Sequence, residues 1–238
     1  MRPTPVRAAL IALGCLLCGT VEAASLQISP VIVNLANGQS TATIEVKNRG
    51  DAPTAIQVRP YLWTQVGDED TLTPTQEIIL SPPIFTIPPG ASQTLRLLLR
   101  GTAEAGRERS YRLLLDEVPA ADIRNQAQLT LRVSLPVIVA SALSAPPALQ
   151  WRAERGPGGK IALTAINLGP VYDRVSAIGV TLADNSHPKV IPSGNNPYVL
   201  PGAQRHWLVQ TRDGALAGPL HLSVTTRAGE SQQTLAAP

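Results

Sequence analysis

Groups able to do covalent chemistry are few in this chain and poorly placed for it. His187, His206 and His221 lie far apart in different strands or loops, and no His-x-x-x-His pair puts two on one face, so they read as isolated surface histidines. Asp68, Glu69 and Asp70 cluster in a turn without apolar surroundings that would raise a carboxyl pKa, which reads as a solvated loop. Neither a Gly-x-Ser-x-Gly elbow nor a phosphate-cradling glycine loop is present. The residues point away from an enzyme and call for no metal, cofactor or small-molecule substrate.

Non-covalent chemistry remains, and one stretch is patterned for it. In QAQLTLRVSLPVIVAS, Gln126 to Ser141, the residues Leu129, Leu131, Val133, Leu135 and Val137 recur at every second position. Successive strand residues face opposite ways, so these five form one apolar row. The other face carries Thr130, Arg132, Ser134 and then Pro136, which cannot donate to a ladder and so argues for the edge of a sheet. A long apolar edge templates pairing with another chain. An ordinary half-buried strand would show the same alternation, so the row alone leaves both readings open.

The elements that must position this row are strands. The chain has 238 residues, 44% hydrophobic, enough for a real core in one or two domains. Its 22 Pro and 18 Gly punctuate short runs rich in Val, Ile, Leu and Thr, the pattern of an all-β protein. Residues 1–23 read as a secretory signal: Arg2 and Arg7, then apolar Ala8 to Leu17, then Val21-Glu22-Ala23 as cleavage site. Ala12-Leu13-Gly14-Cys15 also allows a lipoprotein reading. Cys15 and Cys18 both fall in this segment, so a mature chain would fold without disulfides. Without Arg2, Arg7 and Glu22, 18 basic and 16 acidic residues remain, and the basic ones are dispersed. With 3% aromatic residues, neither a phosphate-tracking stripe nor a base-stacking platform is legible, which argues against nucleic acid.

About seven short strands separated by turns over some 120 residues have the spacing of an immunoglobulin-like sandwich. They run from Leu26 to Ser141 and include Thr41 to Lys47, Ala55 to Trp63, Thr94 to Arg100 and Ser110 to Glu117. Further strands at Leu149 to Ala153, Lys160 to Asn167, Val175 to Leu182, Tyr198 to Leu200, Arg205 to Gln210 and Leu220 to Thr226 suggest a second, smaller sandwich. The expected organisation is a first domain over 24–143, a linker at 144–148 around Pro146-Pro147, and a second domain over 149–238. A secreted binding module, such as an adhesin or a sugar-binding sandwich, is compatible with this outline, although few aromatic faces are on offer.

Several pieces resemble the periplasmic chaperones of the chaperone–usher pathway, which assemble pili on Gram-negative bacteria. They are Ser81-Pro82-Pro83, the Pro-Gly turn before Leu95-Arg96-Leu97, Ser110-Tyr111-Arg112-Leu113, Asp116-Glu117-Val118-Pro119, the alternating strand ending Leu135-Pro136, Asn167-Leu168-Gly169 and Leu200-Pro201-Gly202. Their order spans the mature chain. The resemblance implies two immunoglobulin-like β-sandwich domains in an L shape, located in the periplasm, with pilus subunits and an outer-membrane usher as partners. It implies that the alternating strand is lent to subunits lacking one strand. Main-chain hydrogen bonds would give affinity, and Leu129, Leu131, Val133, Leu135 and Val137 would fill alternate pockets. Five such side chains could contribute on the order of 8–15 kcal/mol before association costs.

The resemblance also implies a basic anchor for the subunit's terminal carboxylate. The first strand, Ser25 to Leu35, has no Arg or Lys, and Ser134 stands where the donor-strand Lys would be. The match is closer to the archaic branch, where the arginine of the Ser-Tyr-Arg-Leu motif serves, here Arg112. Arg132 is the lesser candidate, and Arg96 is read as structural. Glu117 and Asp213 match acidic residues of the domain junction, while Ile138 replaces their usual basic partner.

Overall fold

The computed structural model describes residues 26–101, 106–119, 130–141, 145–182, 189–192, 196–210 and 218–236. Residues 1–23, read above as a signal, and Leu129, His187 and Asp213 lie outside the described residues. Nearly every described element is a strand, and no helix among the described residues is long and apolar enough to cross a membrane.

The strands fall into two sets that share no sheet. In the first set, one sheet runs β1 (Leu26–Ser29), β3 (Thr41–Asn48), β8 (Ser92–Leu99), β6 (Ile78–Ser81). The facing sheet runs β2 (Val33–Leu35), β10 (Arg132–Val139), β9 (Arg109–Val118), β4 (Thr54–Val66), β5 (Glu69–Pro74), with β7 (Ile84–Ile87) also on β4. Alternation explains the core between them: Ile44 and Val46, Leu95 and Leu97, Tyr111, Leu113 and Leu115 all turn inward. Each such aliphatic side chain stabilises the fold by about 1.5–3 kcal/mol.

The second set holds β11 (Leu149–Arg155), β12 (Ile161–Asn167) and β17 (Gln204–Val209) in one sheet. Another is β15 (Lys189–Pro192), β14 (Ala177–Leu182), β18 (Leu220–Thr226) and β19 (Gly229–Leu235). The short strands β13 (Asp173–Arg174) and β16 (Tyr198–Val199) pair with each other. Trp151, Ile161, Leu163, Ile178, Val199, Leu222 and Val224 belong to its separate core.

One polar device recurs in both sets. Asn48 is fully buried; its amide donates to the carbonyls of Ala52 (2.7 Å) and Ile87 (3.0 Å), and its Oδ1 accepts from the Gly50 N–H (2.9 Å). Asn167, also fully buried, donates to Val171 (2.8 Å) and Val199 (2.9 Å) and accepts from Gly169 (2.9 Å). The backbone of each asparagine is bonded to a Pro-Gly-Ala turn, whose glycine, Gly90 at φ 71° or Gly202 at φ 77°, adopts the left-handed region that favours glycine. The same corner is thus built twice.

Two strands go beyond the sequence reading. The polar stretch Gly67-Asp68-Glu69-Asp70 turns directly into β5, because β4 continues past Trp63 to Val66 and folds back on itself. β19 carries no apolar alternation, since its side chains lie mostly in solvent and its place is set by pairing with β18. Replacing Asn48 or Asn167 by Ala is expected to cost about 2–4 kcal/mol, as three hydrogen bonds go and buried carbonyls lose their donor. Urea denaturation measures it, and a change under about 1 kcal/mol would mean that the turn backbone holds unaided.

Candidate functional site

β10 is flanked unequally. Along one side it pairs antiparallel with β9 from Arg132 to Val139. Along the other, β2 runs parallel to it only at Val137, Ile138 and Val139. From Arg132 to Pro136 that second side has no strand partner among the described residues. Leu131 is tied at the strand's start by two bonds with Glu117: the Glu117 N–H donates to the Leu131 carbonyl (2.9 Å), and the Leu131 N–H donates to the Glu117 carboxylate (3.0 Å).

The apolar row is therefore divided. Leu135 and Val137 are 2% and 0% exposed and belong to the core of their own sandwich, so in this state they are not free to fill another protein's pockets. Val133 is half-buried against the same core and Leu131 is half-buried beyond it. On the opposite face Arg132 is exposed and reaches Asp116, which also accepts from Arg59 (2.6 Å). Burial opposes ionisation of Asp116, but hydrogen bonds from Arg132 and Arg59 hold its carboxyl below the usual range. Arg132 thus has an intrachain counterion on its own sheet.

Arg112 stands in different surroundings. It faces away from the core that Tyr111 and Leu113 enter, with its guanidinium carbon 3.7 Å from the Trp63 ring centroid and 5.1 Å from that of Tyr198. Trp63 and Tyr198 meet edge to face, centroids 5.2 Å apart. Among the described residues no hydrogen-bond acceptor or carboxylate pairs with Arg112. Burial lowers its proton affinity from the arginine norm, Tyr198 and Asp70 oppose this and Arg205 adds to it. Arginine starts so high that the group stays a cation. A half-buried, unpaired guanidinium between two rings can receive a carboxylate.

The rings belong to the contact between the two strand sets. Trp63 and Ile138 from the first pack with Tyr172, Tyr198, Leu200 and Ala203 from the second. Ile138 is 2% exposed, so an apolar cluster fills the place where a basic partner was expected. Polar groups rim it. Gln65 donates to the Tyr198 carbonyl (3.0 Å) and accepts from the Leu200 N–H (2.9 Å). Asp70 pairs with Arg205 (2.5 Å) and accepts from Asn196, while Asp68 accepts from the His206 N–H (2.7 Å) and lies 2.8 Å from its Nδ1. On the far side Glu108 accepts from the Tyr172 N–H (2.7 Å). Burial pushes the Glu108 carboxyl up, against the pull of that bond and of Arg227.

These contacts correct three expectations. Asp68 and Asp70 lie in an exposed turn, as expected, but they are not without partners: the β4–β5 hairpin carries them onto the second strand set, and His206 is not isolated because it meets Asp68 there. Glu117, expected at the junction, closes the opposite end of β9, seven residues and about 23 Å from Ser110; Glu108 is the residue at the junction. Arg96 is exposed on β8. No local pattern marks Asp70 or Glu108, because their partners across the junction, Arg205 and Tyr172, are more than 60 residues away in sequence.

A family model described as "Pili and flagellar-assembly chaperone, PapD N-terminal domain" matches residues 25–142. The "Probable fimbrial chaperone EcpB" of Klebsiella pneumoniae is 27% identical, with 86% of this chain and 90% of the relative covered. Among solved structures, the CsuC–CsuE chaperone–tip adhesion subunit pre-assembly complex of Acinetobacter baumannii archaic Csu pili is similar at a TM-score of 0.65. Its identity is 23%, with 89% of this chain and 98% of that chain covered. The Salmonella enterica SafA pilin in complex with the SafB chaperone gives 0.61 at 19% identity, with 91% and 98% covered. At these identities the structural likeness is one of fold.

Ile138→Ala should cost about 2–4 kcal/mol and Ile138→Glu should open the junction, because a buried charge would face Trp63 and Tyr198. Small-angle scattering checks the second: a larger radius of gyration is expected, and an unchanged one would mean that the polar rim alone fixes the contact.

Proposed function

The chain belongs to the family of pili and flagellar-assembly chaperones, and from that premise we propose that it holds pilus subunits in the periplasm by lending them an edge of β10 and hands them to an outer-membrane usher. The observation that carries this reading is the unequal flanking of β10, whose Arg132–Pro136 segment has, among the described residues, a strand partner on one side only. Backbone N–H and C=O groups there can complete a ladder with a subunit strand, and side chains at alternate positions can enter its pockets.

Leu131 and Val133 are the side chains on hand, with Leu129 next in the row. Leu135 and Val137 serve the chaperone's own core, which lowers the side-chain contribution to about 3–6 kcal/mol for the two. Arg112 supplies the anchor for a terminal carboxylate, through a planar fork that pairs with it in two parallel bonds. Arg132 has Asp116 as counterion, which favours Arg112 over it. The organisation into 24–143 and 149–238 agrees with two strand sets and two cores. An apolar cluster rimmed by Gln65, Asp68, Asp70 and Glu108 supports a docked junction, with Glu117 bonded to Leu131 instead and Asp213 outside the described residues. The sugar-binding alternative draws no support, since Trp63, Trp151, Trp207, Tyr172 and Tyr198 are buried and form no open stacking face.

Co-expression with subunits encoded beside this reading frame tests the proposal. Leu131→Asp with Val133→Asp should weaken the one-to-one complex at least about hundredfold, and Arg112→Ala should prevent subunit accumulation, with the free chaperone still folded. Undiminished complex with both variants would end the reading; loss of the fold in the first would make the row ordinary core.

A further inference from the structure

Two guanidinium groups, those of Arg112 and Arg205, meet Tyr198 between the strand sets, and of the two only Arg205 pairs with Asp70 among the described residues. Arg205 is 8% exposed and bound on three sides: to Asp70 (2.5 Å), to the Asp68 carbonyl and, through Nε, to the Tyr198 carbonyl (3.2 Å). Both oxygens of Asp70 are engaged as well. Its Oδ1 also accepts from Gln65 (3.0 Å) and its Oδ2 accepts from Asn196. Yet the charge of Asp70 is felt at Arg112, which has no acceptor among the described residues.

We propose that Arg205 is a positioning residue for Arg112: by holding Asp70, it keeps the chain's own carboxylate off Arg112 and leaves that cation for a carboxylate carried by a bound partner. The inference rests on Arg112 being the anchor. Its physical basis is competition between ion pairs. A guanidinium paired with an internal carboxylate must break that bond before it can take another, whereas one stacked on aromatic rings keeps its in-plane N–H donors available. The Arg112 Cζ lies over the Trp63 ring, 3.7 Å from its centroid, a contact that uses none of the group's hydrogen-bond donors on a carboxylate. Arg205 comes from the second strand set and Arg112 from the first, so the free anchor exists only where the two are docked.

The test is a nuclear magnetic resonance titration of the Arg112 Nε–Hε signal in the intact protein with sodium acetate, against sodium chloride at equal ionic strength. An acetate-specific shift is expected in the unmodified protein. Arg205→Ala should weaken acetate binding about tenfold, because Asp70 is released toward Arg112. Adding Asp70→Asn to Arg205→Ala should restore affinity to within about threefold of the unmodified protein. That rescue separates positioning from scaffolding: an unaltered single variant, or a double variant as weak as the single, overturns the role of Arg205. No acetate shift in the unmodified protein would instead overturn Arg112 as anchor, and the role of Arg205 with it.

Discussion

The obligation of every backbone N–H and C=O to find a partner is what the molecule turns on. Among the described residues, β10 meets that obligation with a strand on both sides only at Val137 to Val139, where β2 lies alongside it. Over Arg132 to Pro136 one side has no strand partner among the described residues. The exposed residues Arg132 and Ser134 keep this edge solvated, and Pro136 removes one donor from it, which are usual means of blunting an edge. The Arg132–Asp116–Arg59 cluster fixes the face of the strand that does not carry the row. An edge that is stable alone and open to one more strand needs this balance. Burying more of the row would leave nothing to lend, and exposing all of it would invite aggregation.

The junction obeys a second constraint. A cation placed in a cleft loses hydration, and the loss has to be offset without neutralising the charge that the site needs. Trp63 and Tyr198 offset it through their ring faces, and those rings are in turn held by the apolar cluster around Ile138. Hydrogen bonds that Gln65 donates and accepts, and that Asp68, Asp70 and Glu108 accept, then fix the two strand sets at the rim, where the carboxylates keep part of their hydration. Replacing a buried ion pair by packed apolar groups is commonly neutral or stabilising. The absence of a basic residue at Ile138 is consistent with that exchange.

Much of this was legible in the sequence because its causes are local. The period-two row from Leu129 to Val137 predicted a strand, and Pro136 predicted its edge character. Asn167-Leu168-Gly169 was visible as a piece of the resemblance, but its equivalence to Asn48-Arg49-Gly50 became plain only when each asparagine was seen holding a Pro-Gly-Ala corner. What stayed hidden depends on distant partners. Nothing near Asp70 announces Arg205, and Glu108 looks no more like a junction residue than Glu117 does. Likewise the alternation could not tell that Leu135 and Val137 face inward to their own core while Leu131 reaches past it, because the pattern fixes a face and not the length of the sandwich behind it.

Amide hydrogen exchange across residues 132–136, in the free protein and in complex with a subunit, bears most directly on whether β10 lends its open side. The amides facing away from β9 should exchange rapidly in the free protein and become protected by at least about a hundredfold in the complex, since a new ladder covers them. Protection already present in the free monomer, or exchange unchanged by a bound subunit, would contradict it.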